Sequence, residues 1–283
     1  MPSPIHGIDH AVIVVRDLAA AAATYERLGF TLTPRGNHST GSTNHCFMLG
    51  RDYLELLALP VKSVSPWQQY FADFVAAGEG LGGIALASFD AIKARTHLQM
   101  AGFQPTDIAH LAREVEDPRA GIKGLARFNL VQTNPKTTPG AQFFVCQQLT
   151  RELVWAPAYQ EHPNGAFEIA AISVVTDNVA KTAETYCKLF GNWPERIDEG
   201  MLVRTCLAPL AVSTAAALQK RLSGLQLGKR TGTHVGALWL RVRDRARVEQ
   251  VLRQAEVAYV RLSDGSIGVH ANDAHGIAIV FGE

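Results

Sequence analysis

The sequence predicts an α+β fold made of four β-α-β-β-β modules, paired into two half-open, barrel-like halves. Two observations lead to this prediction. A strand-like apolar run followed by Asp and a helical segment recurs along the chain, and further strand-like runs follow each recurrence. Self-similarity of this kind indicates a repeated architecture. We place the two halves at residues 1–155 and 165–283.

The clearest module begins with HAVIVVRDLAAAAATYERLGF at 10–30, where an apolar strand leads into Asp17, an Ala-rich helix and Gly29. Asp accepts hydrogen bonds from the free amides at a helix start, and Gly is typical of the position after a helix end. Three further segments repeat this order, the last of them more weakly: ISVVTDNVAKTAETYCKLFG (172–191), GALWLRVRDRARVEQVLRQAEV (236–257) and GGIALASFDAIKARTHLQMAGF (82–103).

Each predicted helix is followed by turn-rich sequence and then by runs typical of strands. These runs lie at 44–50, 52–59, 126–132, 141–149 and 276–282. The residues joining the halves, ELVWAPAYQEHPNGA at 152–166, combine aromatic side chains with Pro and an Asn-Gly turn. We interpret them as a rigid connector docked on one barrel, with a direct role in binding, through Trp155 or His162, as the alternative.

Composition limits the class of partner. The chain has 283 residues, 47% of them hydrophobic, and a formal net charge of +1 from 27 basic and 26 acidic residues. This balance gives no electrostatic reason to expect a nucleic-acid or membrane partner. No apolar run reaches the roughly 18 residues of a membrane span, and the N-terminal residues do not form a signal-peptide pattern. We therefore expect a soluble, cytoplasmic protein that binds a small molecule, with a homodimer left open.

Short motifs exclude several other classes. The four cysteines form no CxxC pair, so neither a zinc knuckle nor a redox dithiol is indicated, and reduced thiols are expected. No P-loop, G-x-S-x-G or H-E-x-x-H motif is present, and the G-x-G-x-x-G spacing at 78–83 leads into the strand-like run GGIALA rather than into a helix. Nucleotide-binding, serine-hydrolase and zincin functions therefore lack support.

The module pattern resembles the vicinal oxygen chelate superfamily, which includes glyoxalases and extradiol dioxygenases, and in particular its glyoxalase-like domain branch. The resemblance depends on GIDHAVIVVRDLAAAAATYERLGF, NHSTGSTNHCFMLGRDYLELLA and ELVWAPAYQEHPNGA, and covers mainly residues 5–60 and 140–190. It implies the glyoxalase/bleomycin-resistance/dioxygenase fold. It also implies a divalent metal (Zn, Fe, Mn, Ni or Co) on the concave face, held by residues of the first and last strands of a module.

His10 and Glu55 occupy those two positions by this resemblance, and we expect them to be both the metal ligands and the catalytic residues. Their chemistry supports the same conclusion. Each is a polar residue in an apolar strand run, where a carboxylate is costly to bury unless it is paired, hydrogen-bonded or metal-bound. Imidazole and carboxylate form a ligand pair that these metals accept. The alternative is a satisfied core histidine beside a glutamate paired with Arg.

The other modules offer few ligands. Matching them on the strand–Asp pattern places Gly83, Ala170 and Ala237 at the position of His10. At the position of Glu55 it places Val280 in the fourth module and Cys146 or a neighbour in the second. The site should therefore lie in the N-terminal half alone. A third ligand must come from elsewhere, and the open alternatives are His38, His45, Gln148 or a residue of the connector.

We expect the substrate-binding residues to be His38, Asn44, Tyr53, Gln148 and Trp155. The function implied is a metal-dependent lyase, isomerase, epimerase or dioxygenase-type enzyme acting on a small metabolite with two chelating oxygens. In a glyoxalase-type mechanism the metal stabilises a developing enediolate as a Lewis acid, and Glu55 can also transfer protons. The alternative is a metal-free protein of the same fold that binds or sequesters a small molecule, which the missing ligands favour.

Overall fold

A computed structural model describes residues 3–60 and 68–282 of the chain, and it confirms the four predicted modules. The first comprises β1 (Gly7–Val15), α1 (Leu18–Arg27), β2 (Gly36–Asn37), β3 (Thr43–Met48) and β4 (Tyr53–Ala58). After α2 (Gln69–Ala77), the second comprises β5 (Gly80–Ala87), α3 (Ala91–Met100), β6 (Ala109–Asp117), β7 (Ile122–Gln132) and β8 (Gln142–Gln148).

The second half repeats this order. Its first module comprises β9 (Ala166–Val175), α4 (Val179–Phe190), β10 (Glu195–Ile197), β11 (Gly200–Val203) and β12 (Leu210–Ser213). After α5 (Ala215–Arg221), the last module comprises β13 (His234–Val242), α6 (Arg245–Gln254), β14 (Val260–Arg261), β15 (Ile267–Val269) and β16 (Ala278–Gly282). Short 3-10 helices lie at Arg151–Leu153, Pro157–Tyr159 and Ala271–Asp273. None of the helices in the described ranges is long and apolar enough to cross a membrane.

The sixteen strands form two eight-stranded mixed sheets with the same topology. The orders are β2-β3-β4-β1-β5-β8-β7-β6 and β10-β11-β12-β9-β13-β16-β15-β14. At each centre, the first strands of two modules pair antiparallel, and each pairs in parallel with the last strand of its own module. In the first sheet the edge strands β2 and β6 also contact each other, so this sheet is nearly closed.

The helices start where the recurring Asp predicts. Asp17, Asp90 and Asp244 each accept hydrogen bonds from backbone amides of the first turn, and Asn178 does so for α4. Such a cap satisfies amides that have no partner within the helix, and its loss costs about 1 kcal/mol. The caps fix the point at which each first strand ends, and therefore the register of the side chains before it.

The helices α1, α3, α4 and α6 share one hydrophobic core with the outer faces of both sheets. Two buried tyrosines connect the halves through this core. The hydroxyl of Tyr25 on α1 donates to the carbonyl of Ala274 at 3.2 Å, and that of Tyr186 on α4 donates to the carbonyl of Pro139. The opposite, concave faces of the two sheets therefore lie away from this shared core.

Each first strand carries a β-bulge near its middle. In β1, Ile8 and Ala11 both face the shared core although they are three residues apart, and the pairing with β5 shifts register between Ile8 and His10. The two residues between them, Asp9 and His10, therefore both face the cleft. A bulge inserts one extra residue on one strand and re-aims its side chains. The same shifts occur in the other three modules, at the pairs Gly82–Gly83, Ala170–Ala171 and Gly236–Ala237.

The two concave faces differ in what fills them. In the C-terminal half, Leu218, Leu222 and Leu225 from α5 and the segment after it pack with Trp239 into a continuous apolar cluster. The concave face of the C-terminal half is therefore a packed cluster rather than an open cleft. In the N-terminal half, α2 covers only part of the face, with Phe71 and Phe74, and a cleft remains open.

This difference predicts that a Leu→Ala substitution lowers the free energy of unfolding by different amounts in the two halves. Leu222→Ala should lower the free energy of unfolding by about 2–5 kcal/mol, because the fully buried side chain leaves a cavity in a filled cluster. Leu130→Ala, on the wall of the open cleft, should cost less, since part of that side chain already faces empty space. Urea denaturation of both variants measures the difference. Equal costs would contradict the contrast between filled and open faces.

Candidate active site

The N-terminal cleft has a cavity volume of about 100 Å³. Its walls are mainly apolar and aromatic. The polar groups that line it come chiefly from the first module: His10, His38, Thr40, Ser42, Asn44, Tyr53 and Glu55. A mostly apolar pocket with a few convergent polar groups is typical of a small-molecule site.

His10 is fixed by its neighbour. Its Nδ1 lies 2.8 Å from Oδ2 of Asp9, and both side chains are buried. The Asp9 carboxylate also accepts a hydrogen bond from Nε2 of Gln148 at 2.8 Å and lies 3.8 Å from the Arg151 guanidinium. A carboxylate on Nδ1 sets the tautomer of a neutral imidazole, with the proton on Nδ1 and the lone pair on Nε2. The lone pair of His10 then faces Glu55.

Glu55 lies opposite His10 on the neighbouring strand β4. Its Oε2 is 3.6 Å from His10 Nε2, and its Oε1 accepts a hydrogen bond from Asn44 Nδ2 at 2.7 Å. Asn44 is in turn placed by Gly36, because the Asn44 amide oxygen occupies the space that a Cβ at Gly36 would need. One carboxylate oxygen is therefore held by an amide, while the other faces the imidazole.

Aromatic rings support the imidazole from two sides. Tyr53 stacks on His10 with ring centroids 4.2 Å apart, and Phe144 meets it edge-on at 5.7 Å. Burial raises the pKa of the Tyr53 phenol and of the Cys146 thiol well above their usual values, so both stay neutral at pH 7. A neutral buried thiol is a poor nucleophile, so Cys146 is not a candidate for covalent catalysis.

His38 lines the same cleft, from the loop that joins β2 to β3. Its Nδ1 lies 2.9 Å from the hydroxyl of Ser42. Burial lowers the pKa of His38 below 6.5; the charges of Arg113 and His10 add to this effect, and that of Glu55 opposes it. The imidazole is therefore mainly neutral at pH 7 and can donate or accept a hydrogen bond.

Four residues considered from the sequence are placed outside the cleft wall. Nδ1 of His45 bonds to the Thr33 carbonyl, because β3 alternates and turns Asn44 and Cys46 inward instead. Gln148 supports Asp9, and the Trp155 ring lies edge-on behind Tyr53. His162 joins the connector to the first module, accepting from the Thr31 amide and bonding to the Met48 carbonyl. We therefore expect neither ligation by His45 nor direct substrate contact by Gln148 or Trp155.

The strand pairing corrects two of the module matches. His10 pairs with Tyr53 and Val12 with Glu55; the same geometry in the second module pairs Gly83 with Gln142 and Ala85 with Phe144. Phe144, not Cys146, is thus the counterpart of Glu55. In the third module the helix cap is Asn178 rather than Asp177, so Ala171, not Ala170, is the counterpart of His10. The matches of Ala237 and Val280 in the fourth module agree with the pairing.

Two of the functionally placed residues were not anticipated. Asp9 was overlooked because strict alternation along β1 would turn it away from His10, and only the bulge brings both side chains to one face. Arg113 was overlooked because β6 has an alternating, mostly half-exposed pattern that resembles any surface strand. A second polar residue beside His10 in an apolar run was the available signal for Asp9.

Metal-ligand chemistry is possible at two neighbouring points. Within the described ranges, Asp9, His10 and Cys146 bring three ligand atoms to within 4.8 Å of one another. In that group, however, Asp9 already holds Nδ1 of His10 by a hydrogen bond. The other point lies between His10 Nε2 and Glu55 Oε2, whose 3.6 Å separation is close to the roughly 3.4 Å between two ligands of one tetrahedral ion. These donors fit a divalent metal, with the remaining positions open to a bound molecule.

Comparison with known proteins agrees with this fold. The glyoxalase-like domain family matches residues 8–190, and the chain belongs to that family. Its fold is that of the vicinal oxygen chelate proteins. No curated protein matches the sequence.

Similar solved structures include a hypothetical protein from Staphylococcus aureus (TM-score 0.66, 13% identity, 97% of this chain and 98% of that one). A variant of 4-hydroxymandelate synthase from Streptomyces coelicolor has a TM-score of 0.60 at 14% identity, over 99% of this chain and 92% of that one. A xylose isomerase-like TIM barrel/4-hydroxyphenylpyruvate dioxygenase fusion protein has a TM-score of 0.58 at 15% identity, over 99% of this chain and 50% of that one. At such identities the likeness concerns the fold alone.

The charges around His38 predict how its titration responds to substitution. In the metal-free protein, Arg113→Met should raise the His38 pKa, because a positive charge that opposes protonation is removed. Glu55→Gln should lower it, because a negative charge that favours protonation is removed. Ring resonances followed by NMR between pH 4 and 8 measure both changes. Arg127→Met, on the exposed side of β7, is the control and should change nothing; a shift of opposite sign in either test variant would contradict the arrangement.

Proposed function

We propose that this protein is a divalent-metal-dependent enzyme of the lyase or isomerase type, acting on a small molecule with two neighbouring oxygens. The observation that carries the proposal is the pairing of His10 Nε2 with Glu55 Oε2 in an apolar cleft, with Asp9 fixing the imidazole from behind. Imidazole with a carboxylate on its second nitrogen is the usual arrangement of a metal-ligating histidine. His10 and Glu55 would hold the ion.

A bound metal would act there as a Lewis acid, polarising an oxygen of the substrate. The residues of the chain perform the other tasks. Asn44 holds Oε1 of Glu55 and so directs Oε2 into the cleft. When Oε2 is not engaged as a ligand, it can accept a proton from a carbon next to the polarised oxygen. The apolar wall excludes water from the reacting atoms, and neutral His38 can bond to a substrate oxygen.

The donor set favours proton transfer over oxygen chemistry. Non-haem iron oxygenases typically use two histidines and one carboxylate. In this cleft one imidazole, His10, lies close to Glu55, and the equivalent positions of the second module are Gly83 and Phe144. A dioxygenase-type reaction would need His38 to move in as the second imidazole, and is therefore the less supported alternative within the enzyme class.

A metal-free binding function is the second candidate. Gly83 and Phe144, at the positions of the second module equivalent to His10 and Glu55, favour it because they offer no ligand atom. An ion would then have two protein ligands, one fewer than usual for a tight catalytic site. In that case Asp9, His10 and Glu55 would form a hydrogen-bonding floor, and Tyr53 and Phe144 would pack against an apolar ligand.

Metal retention separates the two candidates. Purified protein loaded with Zn²⁺ and then dialysed should keep about one ion per chain by elemental analysis if the enzyme proposal is correct. His10→Ala and Glu55→Ala should lose the ion, and Asp9→Asn should weaken its affinity about 10- to 100-fold. His45→Ala, a histidine of the adjacent strand that faces away, is the matched control and should keep it.

Cys146→Ala identifies the position of the ion. This variant should retain Zn²⁺ if His10 and Glu55 are the ligands, and lose it if the ion is bound by Asp9, His10 and Cys146. Wild-type protein that retains no metal, with His10→Ala indistinguishable from it, would refute the enzyme proposal and leave the binding function.

A further inference from the structure

Arg113 is the one lysine or arginine among the described residues that line the cleft. It lies on the edge strand β6, where this strand meets β2 and nearly closes the sheet. Its Nη1 is 3.1 Å from the point where a Cβ of Gly36 would stand, beside the amide oxygen of Asn44. Its guanidinium therefore lies at the seam of the barrel, next to the side chains that hold Glu55.

This guanidinium has no partner among the residues that the structure describes. Among the described residues it makes no ion pair within 4.0 Å and no side-chain hydrogen bond. Other arginines of the same half do have carboxylate partners: Arg51 with Glu168, Arg95 with Asp107 and Arg151 with Asp9. Glu55 shares the cleft with Arg113 but is bonded to Asn44 instead.

The surroundings of Arg113 make such a free charge costly. The side chain is half-buried, and the neighbouring cleft wall is formed by Leu111, Phe128 and Leu130. A charge moved from water toward apolar groups loses solvation that only a counter-charge or hydrogen bonds restore. The nearby imidazole of His38 is either neutral or cationic, so it supplies no negative counter-charge.

We propose that Arg113 binds a carboxylate of the ligand. The planar guanidinium matches a carboxylate with two parallel hydrogen bonds. A phosphate dianion fits less well, because one cation faces it while Glu55 adds a negative charge to the same cleft. In the metal-free cleft Glu55 offsets the charge of Arg113, so a ligand group with one negative charge is accommodated better than one with two.

This inference extends the proposed function and rests on it for the reacting end of the ligand. His10 and Glu55 would contact the reacting oxygens, Arg113 would bind a carboxylate near them, and the apolar and aromatic wall would enclose the rest of the molecule. The substrate class is thus an organic acid with an apolar or aromatic body, rather than a neutral sugar or a phosphorylated metabolite.

Phenylacetate and its neutral analogue phenylacetamide test the carboxylate subsite directly. Calorimetry with metal-free wild-type protein should show phenylacetate binding at least about tenfold tighter than phenylacetamide, as expected for a charge-assisted pair. Arg113→Met should remove this preference, and Arg113→Lys should keep part of it. Arg127→Met, an exposed arginine of the adjacent strand β7, is the matched control and should bind like wild type.

Several results would overturn the inference: no phenylacetate binding, equal affinity for the amide, or unchanged binding by Arg113→Met. Inorganic phosphate that displaces phenylacetate at lower concentration would overturn the choice of carboxylate. Thermal melting confirms that each variant is folded. Zn²⁺ retention keeps the two proposals separate, because Arg113→Met should retain the ion as wild type does. If wild type retains Zn²⁺ and His10→Ala loses it, but wild type shows no preference for phenylacetate, this inference alone is refuted. If wild type prefers phenylacetate but retains no Zn²⁺, the metal proposal alone is refuted.

Discussion

The β-bulge in β1 is the constraint on which the candidate site depends. Without the extra residue, strand alternation would turn Asp9 and His10 to opposite faces, one of them into the core shared by the two halves. With it, the carboxylate stands beside the imidazole and fixes its Nδ1. The site therefore takes its orientation from two consecutive residues of one strand. A buried carboxylate also needs partners, and Gln148 and Arg151 supply them from the end of the second module and the turn after it.

The two halves show how one backbone can hold either a cleft or a core. Both have the same strand order, the same bulges and a helix between their modules. The difference is in the side chains that this helix and the segment after it contribute. In the C-terminal half Leu218 and Leu222 fill the concave face against Trp239. In the N-terminal half Phe71 and Phe74 fill only the part over Gly82 and Gly83, where the absence of a Cβ admits the rings.

The C-terminal half nevertheless contributes to the cleft. Arg230 reaches across to α2, where its guanidinium lies over the Phe74 ring at 3.3 Å and donates to the Phe74 carbonyl at 2.9 Å. Cations near the end of a helix also interact favourably with its unpaired carbonyls. The wall over the second module is thus positioned from the other half, and the two halves act as one unit although only one has an open cleft.

The sequence was sufficient to predict the modules and to single out His10 and Glu55, whose side chains lie together in the structure. Capped helices after apolar strands identify all four modules, and a His and a Glu in apolar runs are conspicuous whatever the fold. The bulges were not predictable, because one inserted residue changes the facing of a strand without changing its composition. For that reason Asp9 was overlooked. Ala170 was matched in place of Ala171 because Asp177 was aligned with Asp17, although Asn178 is the residue that caps α4. Arg113 depends on closure of the sheet between β2 and β6, a long-range contact that local pattern does not encode.

The filled face of the C-terminal half also bears on how such a chain can evolve. A duplicated module that once carried polar residues at its bulge would lose them easily, by substitution to Gly or Ala. Regaining them is harder: a Cβ at Gly236 would stand 2.7 Å from Leu218 Cδ2 and 2.9 Å from Val175 Cγ2. A returning Asp–His pair would first need Leu218 to shrink, which itself costs stability until the pair is in place. The packing therefore opposes the return of polar side chains to this bulge, so the loss of a site from the C-terminal half is easier than its recovery.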